Sequence, residues 1–405
     1  MRLLFCSFST PGYLFPLMGL AQELEMRGHQ VAFASGQPSI PFLRAAGMER
    51  IPRSEPDGDS FHVGVWFNRT VAAIDTRHVE LGIARFHPDA LVTHPLCQGA
   101  MIAGERSGLP IAVLGFFGYL FPTPGDRGKR GSEENRRWRL RECVRSMNAA
   151  RELFRLPALD SEDPEPLLGD LWMLRSVPRL VPELDALPPR VHCVGACQWE
   201  PPSEDEGWPA IRAELADPQA PLVYAQPGRT FDGPGFWGQL VEALGDGPLQ
   251  VVASTGRLDG GDMGSVPRNF LARPHVPQGV VVPRARVVIS SGSTSPVVAA
   301  LAAGVPAVVI PSGGETPENA ARLAAAGCAL RLRADGLTPG DLRAAVERVM
   351  ASVEMAAAAR RLKRDFDRLD GFDTAAGLVE RLARGGSIDR NPVHLRETTH
   401  AAASV

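Results

Sequence analysis

Ser290, Ser291, Ser293, Thr294 and Ser295 crowd around a single glycine, Gly292. Hydroxyls at this density can grip the oxygens of an anion, and backbone amides add to the grip where a chain turns into a helix. The flanks have that character. Val287, Val288 and Ile289 form an apolar β-branched run that reads as a strand buried on both faces. Residues 297–303 read as a helix closed by Gly304, with Pro306 just beyond. Pro296 then suits the first helical position and Ser295 the N-cap. In such an arrangement unpaired N–H groups and the positive helix end aim at one point, a seat for phosphate. An ordinary capped βα turn would use the same residues without any ligand, and this stretch alone does not choose between the two.

Other turns carry chemistry-bearing side chains. STPGY (9–13) follows a first apolar strand and holds Gly12 and Tyr13. A phenol titrates near ~10, so Tyr13 is a poor base at neutral pH and better suited to lining a pocket or orienting a substrate. His94 follows the apolar run 90–93, and His62 lies in DSFHVG. Either could exchange protons near neutrality, although a lone histidine is more often structural. Tyr13 and His94 are the candidate catalytic positions. Arg229 and Thr230, in AQPGRT (225–230), could meet a phosphate, or Arg229 could be a solvated loop arginine. FFGYLF (116–121) places Phe117 and Tyr119 where they could wall an apolar pocket or simply fill core.

Alternating short strands and helices must position these turns. Strands are expected at 2–8, 30–34, 90–93 and 111–114, with helices at 16–27, 40–46 and 98–107 between or beside them. Residues 122–145 read as a charged, Gly-bearing loop that runs into a polar surface helix. The acidic, Pro-rich run WEPPSEDEGWP (199–209) reads as a linker. A second set then follows: strands at 222–225, 249–253, 287–289 and 307–310, and helices at 236–244, 297–303 and 319–326. Residues 280–282 read as a short strand or a helix start, and 354–384 as basic helix. The pattern implies right-handed βαβ crossovers and two parallel sheets. Domains are expected at 1–198 and 219–384, joined by a linker at 199–218. The last helix is free to cross back to the first domain, and a disordered tail is expected from 385 to 405. In such sheets ligands bind beyond the carboxyl ends of the strands, where both Gly-bearing turns fall.

The chain has 405 residues, a formal charge of -3 and 44% hydrophobic residues. Near-neutral charge gives no electrostatic case for nucleic acid or an anionic membrane. The apolar runs fall short of the ~20 residues a membrane helix needs. The six cysteines are scattered and form no zinc set, which points to reduced thiols in the cytoplasm.

Four segments, taken in order, resemble one family. They are PLMGLAQELEMRGHQVAFAS (16–35), VHCVG (191–195), HVPQGVVVPRARVVISSG (275–292) and ALAAGVPAVVIPSGGETPENAARLAAAGCALRL (300–332). They are similar to the bacterial natural-product glycosyltransferases, nucleotide-sugar-dependent enzymes of the GT-B fold. The resemblance implies an α/β protein of two tandem Rossmann-like doubly wound domains facing a cleft. It places the donor in the C-terminal domain: His275 and Val276 along the base, and Gln278 near the ribose. Ser291, Gly292, Ser293, Thr294 and Ser295 would hold the diphosphate, with Glu315 and Thr316 on the sugar. The acceptor would lie in the N-terminal domain, near Gly12, His62, Phe117 and Tyr119. The nucleoside diphosphate sugar is then a co-substrate, and no resident cofactor, metal, nucleic acid or membrane is implied. A homodimer or an auxiliary protein partner stays open.

Several family positions differ here. The histidine usual in the first Gly turn is Tyr13. The histidine that opens the phosphate turn is Ser291, that turn's second glycine is Ser293, and its usual threonine is Pro296. The ribose-binding glutamate falls at Ala299, and the glutamine after the sugar-binding acid is Thr316. The leading expectation is a hexosyl or deoxyhexosyl transferase of secondary metabolism, acting on a small-molecule acceptor. The alternative is a scaffold that has lost transfer and serves as a binding or activating partner, or runs another reaction in the same cleft.

Overall fold

The computed structural model describes residues 1–52, 68–115, 132–160, 167–201, 207–227, 235–256 and 258–390, without the side chains of 132–136 and 139. The first half runs β1 (Arg2–Ser7), α1 (Pro11–Met26), β2 (Gln30–Ser35), α2 (Ile40–Ala45), β3 (Glu49–Arg50), α3 (Arg69–Phe86) and β4 (Ala90–Thr93). It continues through α4 (Gln98–Ser107), β5 (Ile111–Gly115), α5 (Ser132–Leu153), β6 (Leu171–Leu174) and β7 (Val191–Cys193). The second half runs α6 (Trp208–Ala213), β8 (Leu222–Gln226), α7 (Trp237–Leu244), β9 (Gln250–Ser254), α8 (Gly260–Met263), β10 (Phe270–Arg273) and α9 (Gln278–Val281). Then follow β11 (Val287–Ser290), α10 (Thr294–Ala303), β12 (Ala307–Val309), α11 (Thr316–Ala325) and β13 (Ala329–Arg331). Three helices, α12 (Pro339–Ala351), α13 (Val353–Asp367) and α14 (Gly371–Ala383), complete it.

All the strand pairings are parallel. The sheets have the orders β3-β2-β1-β4-β5-β6-β7 and β10-β9-β8-β11-β12-β13. Each reverses its winding once, between β1 and β4 in the first sheet and between β8 and β11 in the second. A crevice opens beyond the strand ends at each reversal, because the helices on either side leave in opposite directions. The central strands are apolar and buried on both faces, as that covering requires.

Helix α1 starts at Pro11, ahead of the expected 16. Pro11 sits at its first position, and Pro16 is tolerated inside it. Pro16 has no N–H to give, so the Gly12 carbonyl lacks its usual bond four residues on. The last helix, α14, lies on the first sheet. Its Ala375, Ala376, Leu378, Val379 and Leu382 share a core with Leu14, Leu17 and Leu24 of α1. Close approach depends on Gly19, where a Cβ would stand 2.3 Å from the Phe372 ring. Arg27 pairs with Asp373 at 2.5 Å, and His29 with Glu380 at 2.7 Å.

The tail differs from expectation. Residues 385–390 are not loose: Arg390 donates to Leu184 O at 2.5 Å and Leu187 O at 2.7 Å, and the Ile388 carbonyl meets His192 Nε2 at 2.6 Å. The guanidinium adds donors at the end of the short 3-10 turn, where Leu184 O also accepts from Leu187 N at 3.1 Å. Residues 391–405 lie outside the described residues.

Candidate functional site

The first reversal holds Tyr13 and His94. Tyr13 sits in the first turn of α1, where its amide donates to Thr10 O at 3.0 Å. Its ring lies flat on the His94 imidazole, centroids 4.5 Å apart and planes 14° from parallel. Phe8 meets the same imidazole edge-on at 4.7 Å. His94 is 1% exposed, with Phe8 N 3.1 Å from Nε2 and Leu96 N 3.3 Å from Nδ1; the neutral ring accepts from one of these amides, and its single N–H sits on the other nitrogen. An imidazolium would point N–H groups at both donors and would sit in a desolvated pocket. Burial accordingly lowers its pKa to about 3. This corrects the expectation that His94 could exchange protons in the cleft. It is a neutral brace that fixes Phe8 and the Tyr13 ring.

The second reversal holds the hydroxyl turn. Gly292 adopts φ +84°, the left-handed region that disfavours side chains. A Cβ there would also stand 2.7 Å from Val309 Cγ1 and 3.2 Å from Thr316 O. The helix begins at Thr294 with Ser293 as N-cap, two residues before the expected Ser295. Pro296 is therefore the third helical residue, still within the first four whose N–H groups have no helical partner, so its missing donor costs nothing there. Ser293 makes no side-chain cap, which leaves the first-turn amides of α10 uncapped by it. Ser291 Oγ is buried and finds no partner among the described residues. No charged side chain stands between Ser290 and Ser295.

Asn319 of α11 fastens this turn. It is fully buried, and its Nδ2 donates to Gly292 O at 2.8 Å and approaches Thr294 Oγ1 at 3.4 Å. Its Oδ1 has no partner among the described residues. Glu315 is the N-cap residue of α11, half-buried, and its carboxylate does not cap the helix. Thr316 corrects a second expectation. Its hydroxyl accepts from Ser312 N at 3.1 Å and Gly313 N at 3.2 Å and donates to Gly313 O at 2.8 Å. That hydroxyl is buried and spent on its own turn, so it is not placed for a sugar.

Further along the same crevice, His275 is exposed, with its ring edge-on to Phe15 of α1 at 6.3 Å. The Val276 side chain is buried. Gln278 Nε2 donates to Gln226 Oε1 at 2.9 Å. The N-terminus of α9 is capped from the expected linker, where the Glu200 carboxylate accepts from Gln278 N at 2.8 Å and Gly279 N at 3.0 Å.

The two reversals face each other. A Cβ on Gly12, at the N-terminus of α1, would stand 3.7 Å from Ser295 Oγ at the N-terminus of α10. Two helix N-termini from different sheets thus converge, and their partial positive charges add at one place. His62, Phe117, Tyr119, Arg229 and Thr230 lie outside the described residues. Sequence reasoning passed over Gln226, Asn319, Glu200 and the bracing role of His94. None carries a local signal, since each acts through a partner distant in the chain. Among the described residues no cluster of His, Cys, Asp or Glu is placed to hold a metal. No helix among them is long and apolar enough to cross a membrane.

Comparison with known proteins agrees with this geometry. Residues 239–368 match the C-terminal domain family described as erythromycin biosynthesis protein CIII-like. The chain is 25% identical to 4'-demethylrebeccamycin synthase of Lentzea aerocolonigenes, over 94% of this chain and 99% of that one. Its structure is similar to that of CalG4, the calicheamicin glycosyltransferase, with a TM-score of 0.70 and 24% identity, over 94% and 97% of the two chains. It is also similar to the glycosyltransferase VinC in complex with DTDP, with a TM-score of 0.65 and 18% identity, over 95% and 100%. The chain is a two-domain protein of the GT-B fold, built like the natural-product glycosyltransferases.

Proposed function

We propose that this chain moves a glycosyl group from a nucleoside diphosphate sugar to a small-molecule acceptor. The observation that carries the reading is the convergence of the uncapped α10 N-terminus and its hydroxyls with Gly12 of α1. Direct displacement forms a bond from the acceptor to the sugar C1 and breaks the bond from C1 to the diphosphate, which leaves with the electron pair. Charge grows on the leaving oxygens, and preorganised amides and hydroxyls stabilise it without having to rearrange. Ser291 to Ser295 supply these groups, and Glu315 is the acceptor for a sugar hydroxyl. Tyr13 lines the acceptor side on its His94 brace. The acceptor's proton is released to solvent as the new bond forms, since burial leaves His94 a poor base. No resident cofactor or metal enters this reading.

A second reading, a scaffold that has lost transfer and assists a partner, is favoured by the neutral, buried His94 and by the Thr316 hydroxyl spent on its own turn. Thermal unfolding with TDP, UDP and GDP separates the two. A ligand at one hundred times its dissociation constant adds about 2.7 kcal/mol to the native state. TDP, the nucleotide carried by VinC, is the first probe. A rise in melting temperature with one nucleotide supports the transferase reading. No rise with any of the three sinks it in favour of the scaffold.

A further inference from the structure

We propose that Arg322 and Glu183 form a positioning pair for transfer, which holds the helix that grips the donor turn in register with the acceptor-bearing half of the chain. The proposal rests on the transferase reading above.

Arg322 lies on α11, and only 4% of it is exposed. Its Nη1 donates to Leu180 O at 2.7 Å and to Glu183 Oε2 at 3.2 Å, and its Nη2 donates to Glu183 Oε1. Leu180 and Glu183 belong to the first half, in and beside short 3-10 turns between β6 and β7. The bond therefore joins the two halves. The anchor is itself held, because Arg390 binds the carbonyls of Leu184 and Leu187 from the other side. A second pair, Arg179 with Asp365 at 2.5 Å, ties the same stretch to α13. Helix α13 packs on α10 through Ala358, Ala359 and Leu362.

Stability alone does not explain such a pair. A buried ion pair offsets its own desolvation only in part, and well-packed apolar residues often do as well. A planar guanidinium on a carboxylate does supply direction and distance, since both forks must align. What it aligns is α11. Asn319 stands three residues before Arg322, on the same helix face, and holds Gly292 O. Glu315 stands at the N-terminus of that helix, about 10 Å from Arg322 along the axis. One rigid element thus carries the proposed sugar contact, the clasp on the diphosphate turn and the bond to the acceptor half. Displacement needs the acceptor atom about 3–3.5 Å from C1 and in line, and an error near 1 Å costs about one hundredfold in rate. The base, ribose and diphosphate contacts lie within the second half. Loosening the pair should spoil alignment and leave nucleotide affinity intact.

The test compares the full-length wild type with Glu183→Gln, Arg322→Lys, Arg322→Gln and the double variant Glu183→Gln/Arg322→Gln. Glu183→Gln keeps side-chain shape and the bond to Leu180 O, so it serves if Arg322→Gln fails to fold. TDP affinity is read by calorimetry, turnover by release of TDP from TDP-glucose with p-nitrophenol as acceptor, and domain placement by small-angle scattering with TDP. Expected results are TDP affinity within about twofold of wild type and turnover down about tenfold or more, with Arg322→Lys between wild type and Arg322→Gln. The double variant should be no worse than the worse single one, because the two groups act as a unit. Turnover within about twofold of wild type would overturn the proposal, as would TDP affinity falling in step with turnover. Should the wild type bind no nucleotide, the transferase reading fails by itself. In that case, or if these probes are not turned over, scattering decides. A larger radius of gyration in Glu183→Gln supports the pair's role in fixing domain register, and an unchanged one refutes it.

Discussion

Replacing His94 by glutamine tests the brace beneath Tyr13. The folded imidazole titrates at about 3, because burial opposes its charged form. In the unfolded chain it titrates near ~6.5. Above pH ~6.5 neither state binds the proton, and this ring contributes no pH dependence. Between ~6.5 and ~3 the unfolded chain holds one proton more, so stability falls as the pH drops, by up to about 1.4 kcal/mol per pH unit. At pH 5 the ring's share of the loss is about 2 kcal/mol relative to pH 7. In His94→Gln the amide oxygen can still take the Phe8 N–H, but nothing titrates. The variant forfeits the ring contacts with Tyr13 and Phe8, about 1 kcal/mol at neutral pH. Urea unfolding followed by tryptophan fluorescence at pH 7.5, 6 and 5 should show the variant weaker at pH 7.5 and stronger at pH 5. Curves that stay parallel across this range would mean that His94 protonates freely in the folded chain, and the neutral-brace account would be abandoned.

Gly292→Ala forces a Cβ into the left-handed region and 2.7 Å from Val309 Cγ1. Strain and overpacking together should cost about 2–4 kcal/mol in urea unfolding and weaken TDP binding about tenfold or more. A loss under about 1 kcal/mol with TDP binding intact would remove the turn from the donor site. Thr316→Val keeps shape but leaves the amides of Ser312 and Gly313 without their acceptor. It should cost about 2 kcal/mol of stability and leave TDP affinity unchanged. An unchanged melting temperature would show that the hydroxyl is free for a sugar after all.

The fold was legible because its signals are local. Strand β4 and helix α4 fall where apolar runs and a closing glycine put them, and the strand–turn–helix around Gly292 was readable from its apolar flanks and closing glycine. Errors cluster where tertiary contacts override local pattern. Pro16 looks like a helix start, yet Pro11 opens α1 and the later proline is absorbed. Ser295 looks like an N-cap, but the left-handed Gly292 turns the chain early enough for Ser293 to take that place. Strands β7, β10 and β13 lie at sheet edges, where partly exposed residues break the apolar run, and β6 went unread although it is as apolar and buried as β4. The roles of His94, Thr316 and Arg322 depend on partners far along the chain or on a turn whose shape is tertiary. No spacing rule reaches them.

The positions at which the resemblance implies other residues differ from one another in their surroundings. Tyr13 has gained a stacking partner in His94, Thr316 has been drawn into the 312–313 turn, and Ala299 is packed inside the core. These three have become structure. Ser291 has not: its hydroxyl is buried at the Gly292 turn without a partner among the described residues, as is Asn319 Oδ1. Leaving a buried polar atom unpaired costs about 1–3 kcal/mol, so a fold that served only as scaffold would gain by filling or burying it apolar. Its retention where two helix N-termini converge is easier to account for if a polar group occupies that place during function. Amides and hydroxyls do not titrate in the physiological range. A seat built from them would hold a diphosphate by geometry and dipoles, with no need of an imidazole.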